Sequence, residues 1–65
     1  MENLETRTSE SLKFLLWACL QDNLNRMDIA NRTKDESFRR SVLREHAKTE
    51  KLIEDIRKEL TKRGE

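Results

Sequence analysis

The chain has 65 residues, enough for one domain with a small core, because a chain this short buries only about 60% of its unfolded surface. Charged residues make up 42% of it, but 14 basic and 13 acidic side chains nearly cancel to a net charge of +1. With no proline, one glycine at Gly64 and one cysteine at Cys19, it lacks the turn residues of a β-sandwich or barrel and any internal disulfide.

The segment Met1-Glu2-Asn3-Leu4-Glu5 carries two acids and no early base, unlike the start of a secretory signal. Residues 1–8 show no periodicity and are expected to form a flexible arm. From Thr8 the pattern changes. Thr8 and Ser9 are suitable N-caps, since a hydroxyl can accept from an orphan N–H of the first turn. Leu12, Leu15, Leu16, Cys19, Leu20, Leu24 and Met27 then recur at spacings of three and four, which predicts helix 1 over residues 9–30.

Asn31-Arg32-Thr33-Lys34-Asp35 is the only credible turn. Asn31 can take the left-handed conformation that ends a helix, and Thr33 and Glu36 have the spacing of a capping box. Helix 2 follows over residues 36–62. Phe38, Val42, Ile53, Ile56 and Leu60 share one of its faces, with Thr49 filling the gap. Lys62 and Arg63 complement the negative end of the helix, and Gly64 stops it. A short helix–helix connection joins antiparallel neighbours, so the expected fold is all-α: a two-helix antiparallel hairpin.

The two faces do not match in width. On a helical wheel the apolar arc of helix 1 runs from Leu15 through Trp17 and spans roughly 200°, about twice an ordinary amphipathic arc. Phe14 and Ile29 lie outside even that. The stripe of helix 2 covers only about 100°. Each large apolar side chain removed from water contributes about 1.5–3 kcal/mol, and symmetric dimers are the commonest way to supply the missing cover. The expectation is a homodimer, two hairpins in a four-helix bundle. Its core would hold Leu12, Leu15, Leu16, Trp17, Cys19 and Leu20 of helix 1. Asn23, Leu24 and Met27 would join them, facing Phe38, Val42, Ile53, Ile56 and Leu60. Within this arc Asn23 has two readings: the bundle opens there and the amide meets water, or two copies pair across the dyad and fix register.

Nothing points to catalysis, a cofactor or a small-molecule substrate. His46 is the only histidine and reads as a side chain at the edge of the helix 2 stripe. Cys19 reads as a small hydrophobe. A turn near residue 33 would set Cys19 opposite residues 46–48, but a Cys–His pair also needs a substrate cleft. No CxxC, HxxxH or ExxH spacing suggests a metal site. The free thiol suits a reducing, cytoplasmic setting. The longest apolar stretch, Leu12 to Leu20, is broken by Lys13 and far shorter than the roughly 20 residues needed to span a membrane.

The clearest polar feature is a stripe on helix 2. Arg40, Arg44, Lys48, Lys51, Lys58 and Lys62 fall within roughly 80° opposite its apolar face, interrupted only by Asp55. The plain reading is a solvated surface with local pairs such as Glu36–Arg40 and Glu54–Lys58. The functional reading is a contact surface for a protein partner, together with Phe14 and Ile29. Nucleic acid is the alternative partner. It would be bound weakly, in a salt-sensitive way and with little sequence preference, since the stripe has no aromatic stacking platform and few Asn or Gln. A more remote alternative is a structural subunit in which helix 1 packs into a larger bundle.

In length, paired helices, short turn and expected dimeric bundle, the chain resembles the Rop family of plasmid RNA-binding regulators, and more loosely the helical accessory proteins of phages and plasmids. The resemblance implies a dimeric hairpin that regulates by binding. Rop-like cores alternate small and large residues in layers, whereas this one mixes Leu, Phe, Ile, Trp and Met, so no functional residue is carried over.

Overall fold

Thr8 opens the first helix as expected, its hydroxyl accepting the Ser11 N–H at 3.1 Å. In the computed structural model, which describes residues 3–65, helix α1 runs Ser9–Arg32 and helix α2 runs Glu36–Lys62. They pack antiparallel as a rod of 43 × 19 × 14 Å. The all-α hairpin is therefore observed, with no strand among the described residues.

The turn differs from expectation in its chemistry. Asn31 remains inside α1, which extends two residues past the expected end, and no described non-glycine residue has a positive φ. The chain leaves α1 through an extended Thr33 instead. Arg39 explains why a left-handed cap is unnecessary. Its Nε donates to the Ala30 carbonyl at 3.1 Å and its Nη2 to the Thr33 carbonyl at 2.7 Å, occupying acceptors at the end of α1. The capping box also gives way. Asp35 is the N-cap of α2, accepting from Phe38 N–H at 3.2 Å, while Thr33 Oγ1 accepts from Asp35 N–H. Glu36 turns to Arg39 at 2.8 Å rather than to the backbone or to Arg40.

At the far end, Glu65 N–H donates to the Leu60 carbonyl and Gly64 N–H to that of Thr61. This pair of bonds is a Schellman closure, and Gly64 supplies the φ of 82° that it requires.

Part of the arm expected over residues 1–8 takes a defined form; Met1 and Glu2 lie outside the described residues. Leu4–Thr6 form a 3₁₀ turn capped by Asn3, and Leu4 packs on the core. Arg63 holds this turn in place. Its Nη2 donates to the carbonyls of Leu4 and Glu5, its Nη1 to Ser9 Oγ, and its Nε to Glu59.

The core is confined to this end of the rod. Leu12 and Ile56 are fully buried, joined by Cys19, Ile53 and Leu60, with Leu4, Leu15, Leu16, Leu20 and Leu52 half-buried around them. Toward the turn only Ala30 is buried. Between the two zones the helices meet through a polar layer built on Asn23.

Candidate interaction surfaces

Asn23 does not meet water in the hairpin, which corrects the reading of a bundle that opens there. It is buried, and its bonds are all within the hairpin: Nδ2 donates to Glu50 Oε1 at 3.0 Å and to the His46 carbonyl at 3.5 Å. Its Oδ1 accepts from Arg26 Nη1, which also donates to Thr49 Oγ1 at 2.7 Å. Every buried side-chain polar atom among the described residues has a partner. The amide therefore ties α1 to α2 at a defined register.

The same alignment separates Cys19 from His46. Asn23, a turn further along α1, is the residue that reaches the His46 backbone, while Cys19 shares the core cluster with Ile53 and Ile56. That shifts Cys19 off the expected level of residues 46–48. Burial pushes the Cys19 thiol up from its ordinary range; Asp22 adds to this and Arg26 opposes it. His46 lies 3.7 Å from Glu50. Among the described residues, no three His, Cys, Asp or Glu side chains are gathered to hold a metal ion.

Of the residues expected to fill a dimer core, Leu12, Cys19, Ile53, Ile56 and Leu60 are already buried inside one hairpin, as is Asn23. Leu15, Leu16, Leu20 and Val42 are half-buried. Trp17, Leu24, Met27 and Phe38 remain exposed, at 58%, 65%, 38% and 49%. Trp17, Leu20, Leu24 and Met27 follow one another at spacings of three, four and three, so they form a single strip along α1. Phe14 stands at its edge with its ring centroid 6.2 Å from that of Trp17. The strip borders a shallow groove where Leu20, Asn23, Leu24 and Met27 of α1 meet His46 and Glu50 of α2. Ile29 and Leu43 are exposed as well. Leu43 lies off the main stripe of α2, so periodicity did not single it out.

The basic stripe divides into two parts. Lys48 pairs with Glu45 at 3.3 Å, Lys51 with Asp55 at 3.4 Å, Lys58 with Glu54 at 3.0 Å and Lys62 with Glu5 at 3.9 Å. Glu54 holds the Lys58 ammonium above its ordinary pKa by hydrogen bond and charge. These four are solvated local pairs. Arg40 and Arg44 are exposed, and among the described residues neither takes part in an ion pair or side-chain hydrogen bond. They lie one turn apart, with Leu43 between them in sequence. Net positive charge is thus concentrated at the turn end of α2.

The chain matches no known family. No match was found among curated proteins or solved structures either. None of its helices is long and apolar enough to cross a membrane, among the described residues. Of the two side chains that close the ends of the hairpin, Arg39 was not prominent in the sequence and Arg63 stood out only as a charge at the end of helix 2. Their roles depend on carbonyl groups that only the folded chain brings within reach.

Proposed function

We propose that this chain is a non-enzymatic interaction protein that works as a homodimer, two hairpins forming a four-helix bundle, and modulates another macromolecule by surface contact. The observation that carries this reading is the strip Trp17–Leu20–Leu24–Met27, of which Trp17, Leu24 and Met27 are left exposed and Leu20 half-covered although the hairpin is complete and its core filled. Exposed apolar patches on a small domain mark association surfaces. Covering the three exposed side chains and the open half of Leu20 contributes several kcal/mol at about 1.5–3 kcal/mol for each one fully buried. That is comparable to the whole stability of a domain of this size.

The contact surface for the further partner is the turn end of α2, where Arg40 and Arg44 flank Leu43. Two unpaired guanidinium groups beside an apolar side chain suit an acidic protein surface better than a phosphate track, because the remainder of the stripe is neutralised by its own carboxylates. The mode of action extends the Rop-like resemblance: an accessory regulator of phage or plasmid type that acts by binding, in the cytoplasm.

Sedimentation of wild type and Leu24→Glu tests the central claim. Leu24 makes little of the hairpin's own core, so the variant should keep its helical circular dichroism while changing from dimer to monomer. A wild-type chain that sediments as a monomer at high concentration would remove the reading. For the second surface, Arg40→Glu with Arg44→Glu should lose a captured protein partner. A captured nucleic acid released steeply by salt would favour the alternative.

A further inference from the structure

We infer that the occupant of the α1 strip is a second copy of the same strip running antiparallel, so that Trp17 of one chain packs on Met27 of the other and Leu20 on Leu24. This rests on the dimer reading above and adds the orientation. Three observations lead to it.

The first is the spacing. Intervals of three, four and three read the same in both directions, so a two-fold axis between Leu20 and Leu24 maps the strip onto itself. That is the self-complementarity a closed two-fold interface demands. The second is the charge at the two ends of the strip. Continuing the same heptad line toward the N-terminus gives Lys13 and then Glu10. Toward the C-terminus come Asp28 at the edge, Asn31 on the line and Lys34 just past the helix. A parallel pairing sets Glu10 on Glu10, Lys13 on Lys13 and Asp28 on Asp28, with like charges opposed at each level. An antiparallel pairing sets Glu10 level with Lys34, and Lys13 beside Asn31 and within a turn of Asp28. Lys13 pairs with Glu65 at 3.0 Å and Asp28 with Arg32 at 3.1 Å inside the hairpin, but each has more than half of its side-chain surface open to solvent, so both can exchange these exposed pairs for one across the seam.

The third is bulk. Parallel pairing would bring two Trp17 indoles together at one level and two Met27 side chains at another. The antiparallel arrangement balances a large ring against a flexible thioether at both ends, and the bundle keeps an even width. The groove lined by Leu24, Met27 and His46 then gives the second α1 a wall to pack against.

Disulfide trapping distinguishes the orientations. Lys13→Cys and Asn31→Cys would each be placed in a Cys19→Ala background, oxidised alone and as an equimolar mixture, after sedimentation has shown the oligomeric state. A bridge requires Cα atoms within about 7 Å. The antiparallel pairing predicts that neither variant alone yields a covalent dimer, whereas the mixture gives a 13–31 bridge in about half of the protein, the heterodimer share of random pairing. Self-bridged dimers of each single variant would overturn the orientation but leave the dimer intact. A dimer that forms no bridge in any combination would place its seam elsewhere and overturn it equally. A monomer would remove the dimer reading and this inference together. If Cys19→Ala does not fold, the same pair can be built on the native Cys19, which is buried, and the bridge assigned by peptide mass.

Discussion

Asn23 joins two carboxylate and carbonyl acceptors on α2 to the Arg26 guanidinium on its own helix, and it does so with an uncharged amide. Replacing it with a carboxylate reverses the chemistry at one atom. In Asn23→Asp, the group that donated to Glu50 at 3.0 Å becomes an acceptor facing another acceptor. Loss of the bond and the like-charge contact should cost about 2 kcal/mol at neutral pH, with Arg26 offsetting part of it. Glu50→Gln in the same chain restores a donor and should recover about half, read from paired urea denaturation curves. Cys19 gives a test on the other side of neutrality. Burial raises its thiol pKa first, Asp22 next, with Arg26 in opposition. The folded chain thus binds that proton more tightly than the unfolded chain, whose thiol titrates near about 8.5. The resulting stability is fully present below that value and declines as pH rises through it toward the folded pKa. Wild type should therefore lose more stability than Cys19→Ala between neutral and strongly alkaline pH, and a thiol reagent at neutral pH should label Cys19 only as fast as the hairpin opens.

At the level of the helices, the two differed in how much their sequences revealed. The stripe of α2 is narrow and its partners are charged, so only one face could turn inward, and both its bounds and its buried residues Ile53, Ile56 and Leu60 were legible. Helix α1 is apolar over most of its circumference, so several faces could have met α2. The one that does runs through Leu12, Cys19, Asn23 and Ala30. Three of these four are small or polar, and hydropathy alone would rank them behind Leu20, Leu24 and Met27. Close approach of two helices favours small side chains at the crossing, while the bulky ones are left outside. The mismatch of widths was readable, and exposed apolar side chains on α1 agree with it, but which face of α1 would meet α2 was not. The 3₁₀ turn at Leu4–Thr6 was illegible for a different reason: three residues carry no periodicity, and their position depends on Arg63, nearly the whole chain away in sequence. Arg63→Met keeps the stem and removes the donors to Leu4, Glu5 and Ser9. It should speed proteolysis before Ser9 and lower stability by about 1–2 kcal/mol, as expected for losing partly buried bonds from a charged group. Unchanged cleavage would show that Leu4 packing alone holds the turn.

Taken whole, the hairpin is unevenly built along its length. Its buried cluster lies at the end where the helix termini meet, whereas Leu24, Met27, Ile29, Phe38 and Leu43 are all exposed toward the turn. An isolated hairpin would thus be held firmly at one end and, at the other, by Arg39, Asn23 and little apolar contact. A second copy seated on the strip would supply what the turn half lacks, and stability would then depend on association. For a folded dimer in equilibrium with unfolded chains, each tenfold rise in concentration favours the folded state by about 1.4 kcal/mol per dimer. With the enthalpy expected of roughly 130 residues, that moves the melting temperature by a few degrees. Wild type should show such a rise across two decades of concentration. Leu24→Glu should melt lower at a temperature independent of concentration, and its amides from residue 24 to residue 43 should exchange faster than those around Leu12 and Ile56. A concentration-independent melt for wild type, with equal protection at both ends, would mean that the turn half is stable by itself and that the exposed strip contributes nothing to folding.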